Sequence, residues 1–195
     1  AVDVGANIGL MTVFMARAVG AGGSVFAFEP EPGNLALLRK NIAANGYKNV
    51  TVVPAAVSER GGTARLFLSD FNPGDHRIYD PEEKIKGWEK SGAVYDKLVG
   101  GHREAIDVPM ASLDDFFADH KGPIALIKMD VQGAEGGVLA GMKEVLKKNR
   151  NVKVMMEFWP AGQKMFGVEA RDFLASLEGL GFSLREIGKN TPRVR

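Results

Sequence analysis

The stretch AVDVGANIGL (residues 1–10) decides the fold. A short apolar strand reaches Asp3, and the chain then bends through a turn that contains Gly5, Asn7 and Gly9. Apolar residues recur at helical spacing after the turn, which predicts a helix. In an open parallel sheet, the turn after the first strand lies at the carboxyl edge, where ligands bind. The stretch therefore predicts a strand–turn–helix unit that holds a ligand.

Two glycines and two acidic residues make this turn a candidate binding site. Gly5 and Gly9 allow positive φ and a close approach of a ligand to the backbone. The free N–H groups at the start of the next helix favour a negative group. Asp3 stands at the strand's end, where we expect its carboxylate to face the ligand. Glu29 stands at the tip of the second strand, twenty residues beyond Gly9, a position where an acid commonly accepts hydrogen bonds from ribose hydroxyls.

The residue between the two glycines separates two classes of ligand. The dinucleotide fingerprint G-x-G-x-x-G needs a bare middle glycine so that pyrophosphate can touch the backbone, but Asn7 stands there in this sequence. S-adenosylmethionine has a ribose and a carboxylate but no phosphate, and it fits the turn better than NAD(P). The alternative is that Gly5 and Gly9 only shape a tight turn and that Glu29 is a solvated strand end.

Apolar stretches of strand length alternate with helical stretches along the rest of the chain. Further strands are predicted at residues 24–29, 49–58, 124–131, 152–159 and 182–187. Near-continuous apolar strands are typical of a parallel sheet that is covered on both faces. We therefore expect an α/β fold with a mostly parallel sheet and helices on both sides.

The chain length favours a single domain over residues 1–195, with an irregular excursion at about 70–104. The excursion has weak periodicity and is rich in Gly, Asp and Lys. The opening strand is short for the centre of a sheet. We therefore expect the sequence to be the core of a longer protein, truncated at both ends.

The amino-acid composition limits which classes of binding partner we expect. Lys and Arg number 25 and Asp and Glu 24, for a formal net charge of +1. Because nucleic-acid binders normally carry a basic excess, we expect no nucleic-acid partner. The absence of cysteine excludes disulfides and thiolate metal sites. No apolar run has the length of a membrane span and no signal peptide is visible, so we expect no membrane partner and a cytoplasmic location.

Three segments together resemble the FkbM-type S-adenosylmethionine-dependent methyltransferases. They are DVGANIGLMT (3–12), VFAFEPEPGNLALLRKNIAANG (25–46) and IALIKMDVQGAEGGVLAG (124–141). The Asp-x-x-Gly-Ala-Glu pattern at 130–135 is the most specific part. The resemblance implies a Rossmann-like, doubly wound fold of the class I methyltransferase type. It also implies S-adenosylmethionine as cofactor and O-methylation of a small-molecule or carbohydrate acceptor.

The resemblance also assigns the cofactor site. By analogy, Asp3, Gly5, Asn7 and Gly9 hold the methionine part of the cofactor, and Glu29 holds its ribose.

Asp130 lies at the tip of the fourth main strand, and the resemblance places it beside the transferred methyl group. Two departures from the family pattern stand out. Family members often carry Glu where this chain has Gln132, so one central carboxylate is missing. The final β-hairpin of the fold is cut short after the strand predicted at 182–187.

Methyl transfer to a hydroxyl needs a group that takes up the proton. The candidates are Asp130, Glu135, Glu157 and His76. We expect Asp130 to line the methyl-transfer pocket and Glu135 either to support it or to stabilise a helix N-terminus. His76 lies in the polar excursion, and its ordinary pKa of about 6.5 suits a general base.

Three further residues have weaker assignments. Ala56 is small enough to leave room for adenine, and Trp159 either walls the acceptor pocket or packs in the core. Asp70 stands near other oxygen and nitrogen donors in the excursion, but the spacing is not diagnostic of a cation. No metal site is predicted.

Of three alternative functions, the sequence disfavours two and leaves one open. Asn7 and the lack of a Tyr-x-x-x-Lys pair disfavour an NAD(P)-dependent oxidoreductase. The near-neutral charge and the lack of an Asn/Asp-Pro-Pro-Tyr motif disfavour a nucleic-acid methyltransferase. A non-catalytic nucleotide-binding domain of the same fold stays open.

Overall fold

The elements follow the predicted alternation along the chain. The computed structural model describes residues 1–69, 74–78 and 104–188. The strands are β1 (Val2–Val4), β2 (Val25–Phe28), β3 (Val50–Val53), β4 (Ala56–Val57), β5 (Gly62–Phe67), β6 (Ala105–Ala111), β7 (Leu126–Met129) and β8 (Lys153–Met156). The helices are α1 (Leu10–Val19), α2 (Pro32–Ala44), α3 (Leu113–Phe116), α4 (Glu135–Ala140), α5 (Lys143–Lys148), α6 (Pro160–Met165) and α7 (Ala170–Gly179).

The main sheet is parallel, with strand order β3-β2-β1-β7-β8. β1 lies at its centre, and all three of its residues are buried. The chain first builds outward from β1 through β2 and β3, and then places β7 and β8 on the other side. The order therefore reverses between β1 and β7, which is the point where open α/β sheets bind ligands.

Helices pack on both faces of this sheet. On one face, α1 and α2 pack against Val25 and Ala27. On the other face, α4, α5 and α7 pack against Val2, Val4 and Phe28. The alternation of side chains along each strand explains how one strand serves both layers. The structure confirms the predicted α/β fold class. No helix in the described ranges is long and apolar enough to cross a membrane.

The single strand predicted at 49–58 is wrong, because the chain changes sheets within it. β3 pairs with β2 in the main sheet, whereas β4 pairs with β6 in a second, three-stranded sheet of order β4-β6-β5. Pro54 stands between them and has no N–H to donate to a ladder. Ala55 N–H instead donates to Val53 O at 2.9 Å in a tight turn.

The second sheet flanks the predicted excursion, because β5 ends at Phe67 before it and β6 begins at Ala105 after it. β5 and β6 pair antiparallel, from Gly62 opposite Met110 to Phe67 opposite Ala105. Most of the excursion predicted at about 70–104, including Asp70, lies outside the described residues.

The strand predicted at 182–187 is also wrong. Gly181 turns the chain with a φ of 91° after α7, and the following residues adopt no strand. Phe182 packs against the main core, but a groove of about 580 Å³ lies between this segment and Val154 and Met156 of β8. A strand needs a hydrogen-bonded neighbour, so the main sheet ends at β8 in the described part of the chain.

Candidate active site

A cavity of about 530 Å³ lies over the carboxyl ends of β1, β2 and β7. Its volume is typical of small-molecule sites. Six of the predicted site residues line it: Gly5, Asn7, Glu29, Ala56, His76 and Asp130. The second sheet contributes further lining through β4 and β5. The cavity therefore lies at the switch point of the main sheet, which is where the sequence analysis predicts a ligand site.

The turn after β1 is held by the neighbouring strand. Gly5 and Ala6 both donate their N–H groups to Phe28 O, at 3.1 and 2.9 Å. Gly5 and Asn7 adopt positive φ angles of 73° and 51°. The Asn7 side chain bends back, because its Oδ1 accepts the N–H of Ile8 at 2.6 Å. The turn thus presents backbone and a folded amide to the cavity.

Gly9 differs from its expected role. It lies outside the cavity lining, and a Cβ built on it would come 2.5 Å from Leu38 Cδ1 of α2. With a φ of 91°, Gly9 caps the start of α1 and lets it pack closely against α2. The structure therefore supports a packing role for Gly9 instead of direct contact with the cofactor.

Glu29 is a rigidly held acid at the tip of β2. Its Oε2 accepts the N–H of Asn7 at 2.8 Å, and its Oε1 accepts the N–H of Glu31 at 2.9 Å. Burial raises the pKa of Glu29, and these backbone hydrogen bonds oppose the rise. The residue is only 5% exposed, so the alternative of a solvated strand end is wrong.

Asp3 does not face the cavity as expected. It is completely buried, Thr12 Oγ1 donates to its Oδ2 at 2.6 Å, and Lys128 Nζ lies 3.1 Å from its Oδ1. Asp3 occupies the middle of β1, so its side chain points toward α1 instead of over the edge. Lys128 is not among the predicted site residues, although a lone lysine within the apolar stretch IALIKMDV indicates a special role.

Two carboxylates meet at the tips of β7 and β8. Gln132 Nε2 donates to Asp130 Oδ1 at 2.8 Å and to Glu157 Oε2 at 3.0 Å. Burial raises the pKa of Glu157, and the negative charge of Asp130 adds to the rise. Gln132 thus supplies a donor between two acids at the place where family members often carry a third carboxylate.

Glu135 is buried behind the cavity instead of lining it. The residue is 1% exposed, and its Oε1 accepts the N–H of Gly133 at 3.1 Å. This bond stabilises a turn in which Gln132 and Gly133 have φ angles of 54° and 104°. The placement favours the supporting role that the sequence analysis offered for Glu135, at the start of α4, over a catalytic one.

We expect Glu135→Gln to raise the urea midpoint at pH 7.5 and to leave turnover within about threefold of the original, because the amide keeps an acceptor for Gly133. Burial raises the pKa of Glu135 above the ordinary value of 4.5. The folded state therefore holds this proton more tightly than the unfolded state, and stability falls as pH rises through that window. The stability gained from the uncharged amide should become smaller as pH falls toward 4, because Glu135 itself is then protonated. A catalytic Glu135 would instead lose about 10²-fold or more in turnover.

His76 lines the cavity, and its hydrogen bonding changes its expected role. Nδ1 accepts the N–H of Ser69 at 3.0 Å. In a neutral imidazole, one nitrogen accepts and the other carries the proton. The Nδ1 lone pair of His76 is therefore used by Ser69, and this disfavours a general-base role for that nitrogen.

Trp159 belongs to the packing around the site and not to the cavity lining. The Arg77 guanidinium lies over its ring at 4.8 Å, and Asp75 holds the same guanidinium at 2.6 Å. A Cβ on Gly162 would meet the indole at 2.2 Å, so the ring rests directly on α6. Trp159 is half-buried and packs against Arg77 and α6, so it neither lines the cavity nor belongs to the hydrophobic core of the described residues.

The parallel sheet, its switch point and the cavity at its carboxyl edge define a Rossmann-like α/β fold with a cavity over the strand tips. A family model described as the methyltransferase FkbM domain matches residues 3–184. The chain belongs to this family, which confirms the resemblance seen in the three sequence segments.

Similar proteins carry methyltransferase names. The chain is 34% identical over 178 residues to methyltransferase sdnD of Sordaria araneosa, covering 83% of this chain and 67% of that protein. It is 32% identical over 136 residues to 2-O-methyltransferase NoeI of Sinorhizobium fredii, covering 65% and 50%. It is 29% identical over 164 residues to 31-O-demethyl-FK506 methyltransferase FkbM of Streptomyces tacrolimicus, covering 73% and 58%. The chain thus spans from one half to two thirds of the length of these relatives.

A solved structure shares the fold. The crystal structure of methyltransferase FkbM from Methylobacillus flagellatus matches with a TM-score of 0.54 at 17% identity, covering 92% of this chain and 36% of that one. At this identity the match shows the common architecture alone.

Proposed function

We propose that this domain is an S-adenosylmethionine-dependent methyltransferase that acts on a hydroxyl of a small molecule or sugar. The state of Glu29 carries the proposal. Both of its oxygens accept a backbone N–H, and its side chain lines the cavity. A carboxylate has room for about four hydrogen bonds, and Asn34 makes a third with Glu29, so about one acceptor position remains for a ribose hydroxyl. The family to which the chain belongs supports the same conclusion.

The residues present fit this cofactor. Gly5 and Asn7 line the cavity next to Glu29, and Asn7 stands where the dinucleotide fingerprint needs a bare glycine. Ala56 lines the cavity with a small side chain, which leaves room for a base. When bound, S-adenosylmethionine supplies a methyl group that is already activated on its sulfonium. The protein's contribution is therefore alignment, exclusion of water and proton uptake.

Asp130 and Glu157 are the groups that we assign to proton uptake. Asp130 lines the cavity at the tip of β7, and the Gln132 amide links it to Glu157. The raised pKa of Glu157 makes it a stronger proton acceptor than an ordinary carboxylate. His76 also lines the cavity, and we assign it to contact with the bound molecules instead of proton uptake.

The acceptor is proposed to be a hydroxyl compound. The names of the Sinorhizobium and Streptomyces relatives describe O-methylation. Carboxylates at the strand tips suit a hydroxyl acceptor, because a neutral hydroxyl must lose its proton during the transfer. An NAD(P)-dependent oxidoreductase stays disfavoured by Asn7.

Calorimetry with S-adenosylhomocysteine and NAD tests the cofactor assignment. Glu29→Ala is expected to weaken S-adenosylhomocysteine binding about 100-fold, because a hydrogen bond to a charged group is lost. Glu178→Ala is the matched control, since Glu178 is exposed on α7 and outside the cavity. Binding of NAD but not of S-adenosylhomocysteine would overturn the proposal.

A further inference from the structure

A buried ion pair lies directly under the ligand-binding turn. Lys128 of β7 is 8% exposed and Asp3 of β1 is fully buried. The two residues are register partners across the parallel strands, and Lys128 Nζ lies 3.1 Å from Asp3 Oδ1. Parallel strands that are covered on both faces are normally apolar. Two charges in the centre of this sheet therefore call for an explanation.

Stability alone does not explain the pair. Removing two charges from water is expensive, and replacing a buried ion pair by apolar residues is often neutral or stabilising. In some proteins, a buried ion pair instead fixes one arrangement of the surrounding groups. The contacts of the Lys128 ammonium show which arrangement that is.

The ammonium also binds the turn. Lys128 Nζ donates to Gly5 O at 2.7 Å, and Val4 O lies 3.5 Å away. Two residues farther on, the N–H of Asn7 holds Glu29 Oε2. A displacement of the Gly5 carbonyl would therefore move the backbone that orients Glu29.

Asp3 connects the same ammonium to the helix after the turn. Its second oxygen accepts the hydroxyl of Thr12 in α1 at 2.6 Å. The turn from Gly5 to Gly9 is thus anchored at its start by Lys128 and at its far side by the Asp3–Thr12 bond.

We propose that Lys128 is a positioning residue for cofactor binding: paired with Asp3, its ammonium holds the Gly5 carbonyl so that the turn presents Asn7 and Glu29 to the ligand. The inference rests on the proposed function and deepens it. Lys128 lies outside the cavity lining, so it acts through the turn and not by contact with the cofactor.

The double variant Asp3→Asn/Lys128→Met separates positioning from stability. It removes both charges together, so no single buried charge is left behind. We expect a urea midpoint equal to or above the original. We also expect a Kd for S-adenosylhomocysteine, and a KM for S-adenosylmethionine, raised about tenfold or more, because a loosened turn must be ordered by the ligand. At saturating cofactor, kcat should stay within about threefold.

Hydrogen exchange provides a local readout. In the free double variant, the amides of Gly5 and Ala6, which are bonded to Phe28 O, should exchange faster while those of β2 stay protected. Lys153→Met is the matched control, since Lys153 is an exposed lysine on neighbouring strand β8. It should change neither exchange nor affinity.

The possible outcomes are distinct. If the original protein binds no S-adenosylhomocysteine, the proposed function fails. If it binds and the stable double variant binds equally well, the role of Lys128 is refuted while the function stands. Should the double variant not fold, Lys128→Arg keeps the charge opposite Asp3 but replaces the compact ammonium with a rigid fork. A Kd raised by about threefold or more supports the proposal, and an unchanged Kd overturns it.

Discussion

Gly5→Ala is expected to abolish measurable S-adenosylhomocysteine binding and to lower the free energy of unfolding by about 2–4 kcal/mol. A Cβ built at Gly5 would lie 2.0 Å from Asp130 O, far inside contact distance. The colliding atom belongs to the backbone at the end of the neighbouring strand β7, so no flexible side chain can move away. Either β1 and β7 separate or the turn moves, and both displace Asp130 relative to the turn.

Gly46→Ala is the control that isolates this collision. Gly46 has a φ of 72°, almost the same as the 73° of Gly5, but a Cβ there meets nothing within 4 Å. It therefore carries only the strain of a left-handed alanine, about 1 kcal/mol. Urea unfolding and calorimetry on both variants measure the difference. Equal losses in the two variants would show that contact with Asp130 is unimportant, and the close packing of the turn against β7 would then carry no function.

The ligand edge of the sheet was predictable from the sequence because strand tips are visible in it. Gly5, Glu29 and Asp130 each stand at or just after the end of an apolar strand, and parallel strands bring their carboxyl ends to one edge. That inference does not require knowing which strands are neighbours in the sheet. The structure accordingly places all three in the cavity lining.

Roles inside the strands were not predictable in the same way. Asp3 and Lys128 are separated by most of the chain, and each looks like an isolated charge in an apolar stretch. Their pairing appears only when the register of β1 against β7 is known. The direction of the Asp3 side chain follows from its position in the middle of β1, where the pleat sends it to α1.

Pairing also explains the two strand errors. Residues 49–58 have one continuous apolar pattern, but Pro54 interrupts the ladder and the chain changes sheets. Residues 182–187 have strand composition but adopt no strand. The composition of a segment shows that it can form a strand, whereas hydrogen bonding to a neighbouring strand determines whether it does.

Asp130→Asn is expected to lower kcat about 100-fold, the usual size of an acid–base contribution, while the Kd for S-adenosylhomocysteine changes by less than about threefold. The asparagine keeps an Oδ1 that can accept the Gln132 amide, so the link to Glu157 is retained and only the charge is lost. Asp119→Asn, at an exposed position outside the cavity, is the control. Equal losses of turnover and affinity in a folded variant would argue against a role on the acceptor side.

The pH profile of the same variant tests the coupling of the two acids. The negative charge of Asp130 contributes to the raised pKa of Glu157. Removing that charge should lower the pKa of Glu157, so the acidic limb of kcat/KM should move to lower pH. Glu157→Gln should remove the contribution of Glu157 to this limb, because no titrating acceptor then remains at the tip of β8. A limb that stays in place in both variants would assign proton uptake to a different group and leave Asp130 as a binding residue only.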